Sequence, residues 1–192
     1  MNTTDEVLSL NFIAHTLNLA GINWVIFAGS AAVIYGADRP ITDIDILISS
    51  ADGAQAAELF PGCKVCHGRD GRIEAVKLPD FDLIAGLSNG YRLDVDNEML
   101  HRIRREKING VNVPVISPED NILIKAIWGR GPEVGKHDWE DVEAMLSYNR
   151  RLDWDYLCGR ASAGLDPDRV DEVLSQLEQL WRKIYEEALY IR

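Results

Sequence analysis

"AGSAAVIYGADRPITDIDIL", residues 28–47, decides how the rest of the chain is read. It overlaps a short apolar run, "NWVIFAG" at 23–29, that reads as a strand ending in glycine. "SAAVIYG" at 30–36 then reads as a short helix, and "TDIDILIS" at 42–49 as a second strand. Side chains alternate across a strand, so Asp43 and Asp45 share one face while Ile44 and Ile46 take the other. Two carboxylates held that close repel each other unless something positive lies between them. Hard divalent cations prefer oxygen ligands, and Mg²⁺ takes one or two carboxylates and fills its shell with water and substrate phosphates. The pair therefore reads as a metal site lining an open cleft, with a nucleotide as its companion.

A third carboxylate is expected from a neighbouring strand. In "DFDLIAGL", residues 80–87, Asp82 leads an apolar strand while Phe81 and Leu83 face the other way. Opposed Cβ atoms on adjacent strands lie about 4.5–5.5 Å apart, close enough for Asp82 to join the pair. Asp80, beside Pro79, suits a turn, and Glu74 suits the wet face of a hairpin. Gly29-Ser30 falls where strand becomes helix, and a helix start offers free N–H groups and a positive dipole end to a phosphate. Gly29 has no Cβ to obstruct that approach, and the Ser30 hydroxyl adds a donor.

Twelve residues separate Ser30 from Asp43. That spacing resembles the G-[GS]-x(9–13)-D-h-[DE]-h signature of the DNA polymerase beta-type nucleotidyltransferases. The small prokaryotic minimal (MNT) and AbiEii-type members are most similar, Arg39 and Thr42 included. "ISPEDNILIKAIWGR" and "KHDWEDVEAML" resemble later segments of the same group, so the likeness covers roughly residues 20–150. It implies an enzyme that moves an NMP from an NTP, such as ATP, to a hydroxyl and releases pyrophosphate. Asp43, Asp45 and Asp82 would be catalytic and would hold two Mg²⁺ ions, or Mn²⁺ in their place. Asp82 would also help deprotonate the acceptor. Gly29 and Ser30 would grip the β- and γ-phosphates. Lys125 would reach the triphosphate, although a lysine in an apolar helix also suits a snorkelling surface role. Arg39 divides between substrate contact and solvation. The acceptor would be a protein side chain, an RNA 3′ end or a small hydroxyl compound. A partner protein encoded nearby, as in a toxin–antitoxin pair, is implied by the likeness alone. The rival reading is a binding module that holds nucleotide on the same fold without catalysis.

The remaining chain reads as α/β (α+β): a small mixed sheet flanked by helices, followed by a mainly helical region. A nucleotidyltransferase core over 1–95 and a helical region over 96–192 that completes the cleft are expected. "TDEVLSLNFIAHTLNLAG" at 4–21 reads as an amphipathic helix capped at Thr4, and "ADGAQAAELF" at 51–60 as another helix. "CKVCHGRDGRIEAVKL" at 63–78 reads as a hairpin, "NEMLHRIRRE" at 97–106 as a helix, and "KINGVNVPVIS" at 107–117 as a hairpin about Asn109-Gly110. "SPEDNILIKAIWG" opens a helix with Ser117 as cap and Asp120 at the reciprocal capping position. "HDWEDVEAML" is a helix whose Asp138 and Asp141 could form a metal site but read more simply as first-turn acids favoured by the dipole. "GRGPEVGKH", flanked by Arg130 and Lys136, is expected to act as a lid. The tail from Asp166 carries apolar residues at helical spacing from Val170 to Ala188.

Bulk properties exclude other classes. The 192 residues are 46% hydrophobic and 27% charged, in the range of soluble globular domains. No apolar run approaches the roughly 20 residues of a membrane span, and "MNTTDEVLSL" lacks the features of a signal peptide. The chain reads as cytoplasmic, with no membrane partner. With 31 acidic and 20 basic side chains the net charge is −11, which opposes a polyanion. The basic stretch "HRIRREK" reads as the solvated face of a helix. Cys63-Lys-Val-Cys66-His67 matches a haem-attachment pattern, but it lacks an export signal and falls short of a zinc set, so it reads as reduced thiols by a hairpin.

Overall fold

Period-two runs and tight turns build the sheet. In the computed structural model, which describes residues 9–87 and 91–190 with side chains to 185, seven strands pair into one mixed sheet. They are β1 (Trp24–Ile26), β2 (Ile44–Ile48), β3 (Lys64–His67), β4 (Ile73–Leu78), β5 (Phe81–Ala85), β6 (Arg104–Ile108) and β7 (Val111–Val115). Their order is β3-β4-β5-β2-β1-β7-β6. β2 runs antiparallel to β1 and parallel to β5, while β1 and β7 are parallel. β6 and β7 lie beyond the expected boundary at 95 yet belong to this same sheet.

The helices are α1 (Leu10–Leu19), α2 (Ala28–Ile34), α3 (Gly53–Leu59), α4 (Asn97–Arg102), α5 (Pro118–Trp128), α6 (Asp138–Tyr148), α7 (Trp154–Gly164) and α8 (Pro167–Tyr190). Ile46, Ile48, Val76 and Leu83 are fully buried on one face of the sheet. α3 lies against β4 and β5, and α2 meets α5 and α6. Among the described residues, no helix is long and apolar enough to cross a membrane.

Several local expectations need correction. The cap of α1 is Ser9, whose hydroxyl accepts from Phe12 N; the expected cap, Thr4, lies outside the described residues. "NEMLHRIRRE" is helical only to Arg102, and β6 begins at Arg104. The turn explains the difference. Asn109 and Gly110 both have positive φ, +50° and +84°, as a two-residue hairpin turn requires. The register they impose pairs Ile108 with Val111 and carries the ladder back to Arg104 opposite Val115. The basic stretch is thus in part an edge strand, where charged side chains guard an unpaired ladder. Asp120 does not cap back onto the backbone of Ser117. Its buried carboxylate accepts from the Ser117 and Tyr156 hydroxyls and from Arg160 Nε. α7, which carries both of those partners from further along the chain, had no clear apolar period to announce it.

α7 also anchors the segment after β5. Arg92 N donates to Gly164 O at 2.9 Å, and the Tyr91 ring packs against Gly164. A methyl group at 164 would overlap that ring and stand 2.8 Å from Arg92 O. Gly164→Ala is expected to lower stability by about 1–3 kcal/mol, read from urea unfolding, because neither ring nor backbone has room to yield.

Candidate active site

Strand register assembles the acids. Asp45 of β2 and Asp82 of β5 are direct partners in the parallel pair, so both project from the same face at the same height. Ile44 and Ile46 on β2, with Phe81 and Leu83 on β5, point into the core and fix that orientation. Asp43 lies one residue before β2, exposed, and accepts from the Thr42 hydroxyl at 2.9 Å. Asp80 occupies the turn between β4 and β5 with φ +63°.

The three carboxylates feel one another. Burial, followed by the charges of Asp43 and Asp82, pushes the Asp45 carboxyl up to about 6, against a partial offset from Lys136 and Lys125. A cluster that favours proton uptake this strongly is a cluster that favours a cation, and its all-oxygen donors suit a hard divalent ion. Among the described residues, no three His, Cys, Asp or Glu side chains already close around a common point. Instead Lys77, the cross-strand partner of Asp82, places its ammonium 2.5 Å from Asp82 Oδ2. The donor set fits a metal; taking one up would require Asp82 to turn from Lys77.

The Gly29-Ser30 turn sits beside these acids at the start of α2. Ser30 is buried, and its hydroxyl donates to Asp43 O at 2.9 Å, tying the turn to the acidic strand. Gly29 lies under the Arg39 guanidinium: a Cβ there would stand 2.8 Å from Arg39 Nη2. Arg39 in turn makes a two-pronged pair with Asp141, both contacts at 2.9 Å. Asp141 also accepts from Lys125 Nζ at 2.8 Å, and Lys125 reaches Asp138 at 2.7 Å. Arg130 completes the chain with Nε 2.7 Å from Asp138 Oδ2, its guanidinium over the Trp128 ring.

That network corrects the reading of Asp138 and Asp141 as simple first-turn acids. Both are buried, at 0% and 2% exposure, and serve three cations. Burial alone would raise the Asp138 carboxyl, but the bonds from Arg130 and Lys125 hold it below the usual range. Lys125 is 3% exposed with both aspartates on its ammonium, so it does not snorkel. Lys77 and Asn121 went unnoticed in the sequence; alternation in β4 could have found the first, and an amide in the apolar run "NILI" the second. The three cysteines are free thiols. A separate cavity of about 430 Å³ opens beyond the other ends of β2 and β5, between Ser50, Ala85, Asp94 and Arg160.

Comparison with known proteins places the chain in a family. The profile of a family described as "Nucleotidyl transferase of unknown function (DUF2204)" matches residues 6–175. The chain belongs to this family. Similar folds occur in the antibiotic-resistance factor ANT(2″)-Ia, 14% identical over 93% of this chain and 94% of that one, with a TM-score of 0.50. The lincosamide antibiotic adenylyltransferase LnuA is 15% identical over 76% of this chain and 98% of its own, at 0.47. An antigenic nucleotidyltransferase-like protein from Paracoccidioides brasiliensis is 16% identical over 88% of each, at 0.45. No curated protein matches the chain significantly.

The raised Asp45 carboxyl has a consequence for this nucleotidyltransferase when no metal is bound. A carboxylate whose folded value, about 6, exceeds its ordinary one takes up a proton on folding at intermediate pH. Its contribution is therefore unfavourable above about pH 6, fades as pH falls toward 4, and is absent below. Asp45→Asn is expected to stabilise the metal-free chain by about 2 kcal/mol at pH near 7.5 and by almost nothing near 4, as measured by denaturant unfolding at both.

Proposed function

We propose that this nucleotidyltransferase uses divalent metal to move a nucleoside monophosphate from a nucleoside triphosphate to an acceptor hydroxyl, with pyrophosphate leaving. The observation that carries the reading is the register of Asp45 against Asp82, with Asp43 two residues upstream and the charges of both neighbours felt at Asp45. Asp43, Asp45 and Asp82 would hold the metal, Mg²⁺ or Mn²⁺. When bound, such ions would sharpen the attacking oxygen and stabilise the departing one.

The chain's own groups supply the positioning. Ala28 N is held by Asn121, so the first-turn N–H groups of Gly29 and Ser30 are the ones that would meet a phosphate, and Gly29 leaves room for the Arg39 guanidinium beside it. Arg39, 30% exposed and aimed by Asp141, offers its remaining N–H groups above the same turn. Ser30 acts through the backbone, fixing Asp43 against the turn. Lys125 reaches a triphosphate only by leaving two aspartates, so its part is to hold Asp141 and hence Arg39. Asp82 receives the acceptor's proton once it is free of Lys77. Lys136, whose charge reaches Asp45, lies in the loop expected to cover the site.

The net charge of −11 favours a neutral or cationic acceptor, such as a small hydroxyl compound, over RNA. The ties to MNT and AbiEii-type enzymes, to ATP as a nucleotide and to a partner protein rest on the motif likeness alone.

Incubation with each of the four α-labelled NTPs, Mg²⁺ and a panel of hydroxyl acceptors tests the proposal. Label transfer should stop with EDTA and fall at least about 100-fold in Asp43→Asn. Asp82→Asn should lose transfer by a similar factor while keeping NTP affinity, since it acts on the acceptor side. NTP binding without transfer, unchanged in Asp43→Asn, would instead identify a binding module.

Arg39→Met separates phosphate recognition from chemistry. KM for NTP is expected to rise about tenfold with a smaller change in kcat, if the guanidinium binds ground and transition states alike.

A further inference from the structure

Asn121 is out of character with its helix. It is fully buried and stands next to Ile122, Leu123 and Ile124, where the α5 backbone needs no help from a side-chain amide. Two of its three side-chain hydrogen bonds go to one residue, 93 positions away. Asn121 Oδ1 accepts from Ala28 N at 2.7 Å, and Nδ2 donates to Ala28 O at 3.1 Å, with Met145 Sδ 3.3 Å from the same nitrogen. Ala28 is the first residue of α2, 3% exposed, and its φ is +52°. That left-handed conformation is disfavoured for any residue with a Cβ and persists only where its surroundings impose it. Gly29 and Ser30 follow directly.

We propose that Asn121 is a positioning residue for the nucleotide site: its amide grips both backbone polar groups of Ala28 and holds the left-handed turn that aims the start of α2. This rests on the nucleotidyltransferase reading above. Without the amide, Ala28 relaxes to negative φ. The peptide planes at 28–30 then rotate, and with them the N–H groups meant for phosphate and the Ser30 hydroxyl that fixes Asp43. The sequence contains its own control. Glycine adopts this φ without the steric penalty, so Ala28→Gly makes the turn less dependent on its clamp.

The experiment uses the full chain as wild type, Asn121→Ala, Asn121→Asp, Ala28→Gly and the double variant Asn121→Ala/Ala28→Gly. It reads kcat and KM for NTP, together with amide hydrogen exchange at 28–30 in the absence of any ligand. Misplacing a phosphate cradle should lower kcat/KM roughly 100-fold in Asn121→Ala. Asn121→Asp keeps the acceptor for Ala28 N but loses the donor to Ala28 O; it preserves side-chain volume and should lose less than Asn121→Ala. Glycine at 28 should return about tenfold of the loss in the double variant. Exchange at 28 should accelerate in Asn121→Ala and stay fast in the double variant, which still lacks the acceptor. Exchange at 29–30 should accelerate in Asn121→Ala and slow again in the double variant. A double variant no better than Asn121→Ala, or unchanged exchange at 29–30 in Asn121→Ala, overturns the proposal. If wild type neither binds nor transfers any NTP, the nucleotidyltransferase reading fails, and the exchange measurements still decide whether Asn121 sets the turn.

Discussion

Like charges at the same height on neighbouring strands dominate this molecule. β2 and β5 cannot slip by one residue, because doing so would bring Asp45 and Asp82 into the core and turn Ile46 and Leu83 to solvent. The hydrophobic face therefore locks in a repulsion that the acidic face must bear. Burial increases its cost, which is why the Asp45 carboxyl holds its proton so far above the normal range. Folding that tolerates such an arrangement leaves the site ready for a cation. The apolar packing under the acids keeps them from moving apart to relax.

The cations around the cluster are each committed elsewhere to different degrees. Lys77 lies on Asp82 in an exposed cross-strand pair, which is cheap to break because solvent screens it. Lys125, Arg39 and Arg130 are bound to Asp138 and Asp141, which are buried and hold their partners firmly. Removing one member of such a buried set strands a charge and costs several kcal/mol, so these cations stay where they are. The difference sorts them by role. The weakly held lysine can yield its carboxylate to a ligand, whereas the strongly held groups form a frame that keeps Arg39 over Gly29. That frame runs from α6 through α5 to Arg39 in the loop after α2, so the helical region shapes a site whose acids come from the sheet.

What could be read from the sequence was whatever rests on short-range rules. Alternation turned Asp45 and Asp82 away from the core, turn chemistry located Asn109-Gly110, and Ser117-Pro118 opened α5. Groups whose meaning depends on partners far along the chain stayed hidden. Asp138 and Asp141 look like ordinary first-turn acids until Arg39, about a hundred residues earlier, arrives beside them. "HRIRREK" looks helical by composition, yet the hairpin register makes half of it an edge strand. Ser30 looks like a phosphate donor, but the structure gives its hydroxyl to Asp43 O. α7 has a weak apolar period because part of what it buries is Arg160, matched to Asp120 and Asp96.

These hidden contacts share one consequence for how the site can evolve. Asp43, Asp45 and the Gly-Ser turn sit within about twenty residues of each other, and Asp82 joins them by strand pairing, so a change among them acts directly on the chemistry. The groups that orient them, Asp141 and Asn121, lie on helices well outside that stretch and touch it through a guanidinium and a backbone turn. Substitution in this outer layer alters geometry without removing a charge or a donor from the cleft. The angle of the phosphate turn, and with it the triphosphate conformation accepted, can therefore change while the metal ligands stay fixed. A fold that separates aim from chemistry in this way can keep one reaction and vary what it is performed on.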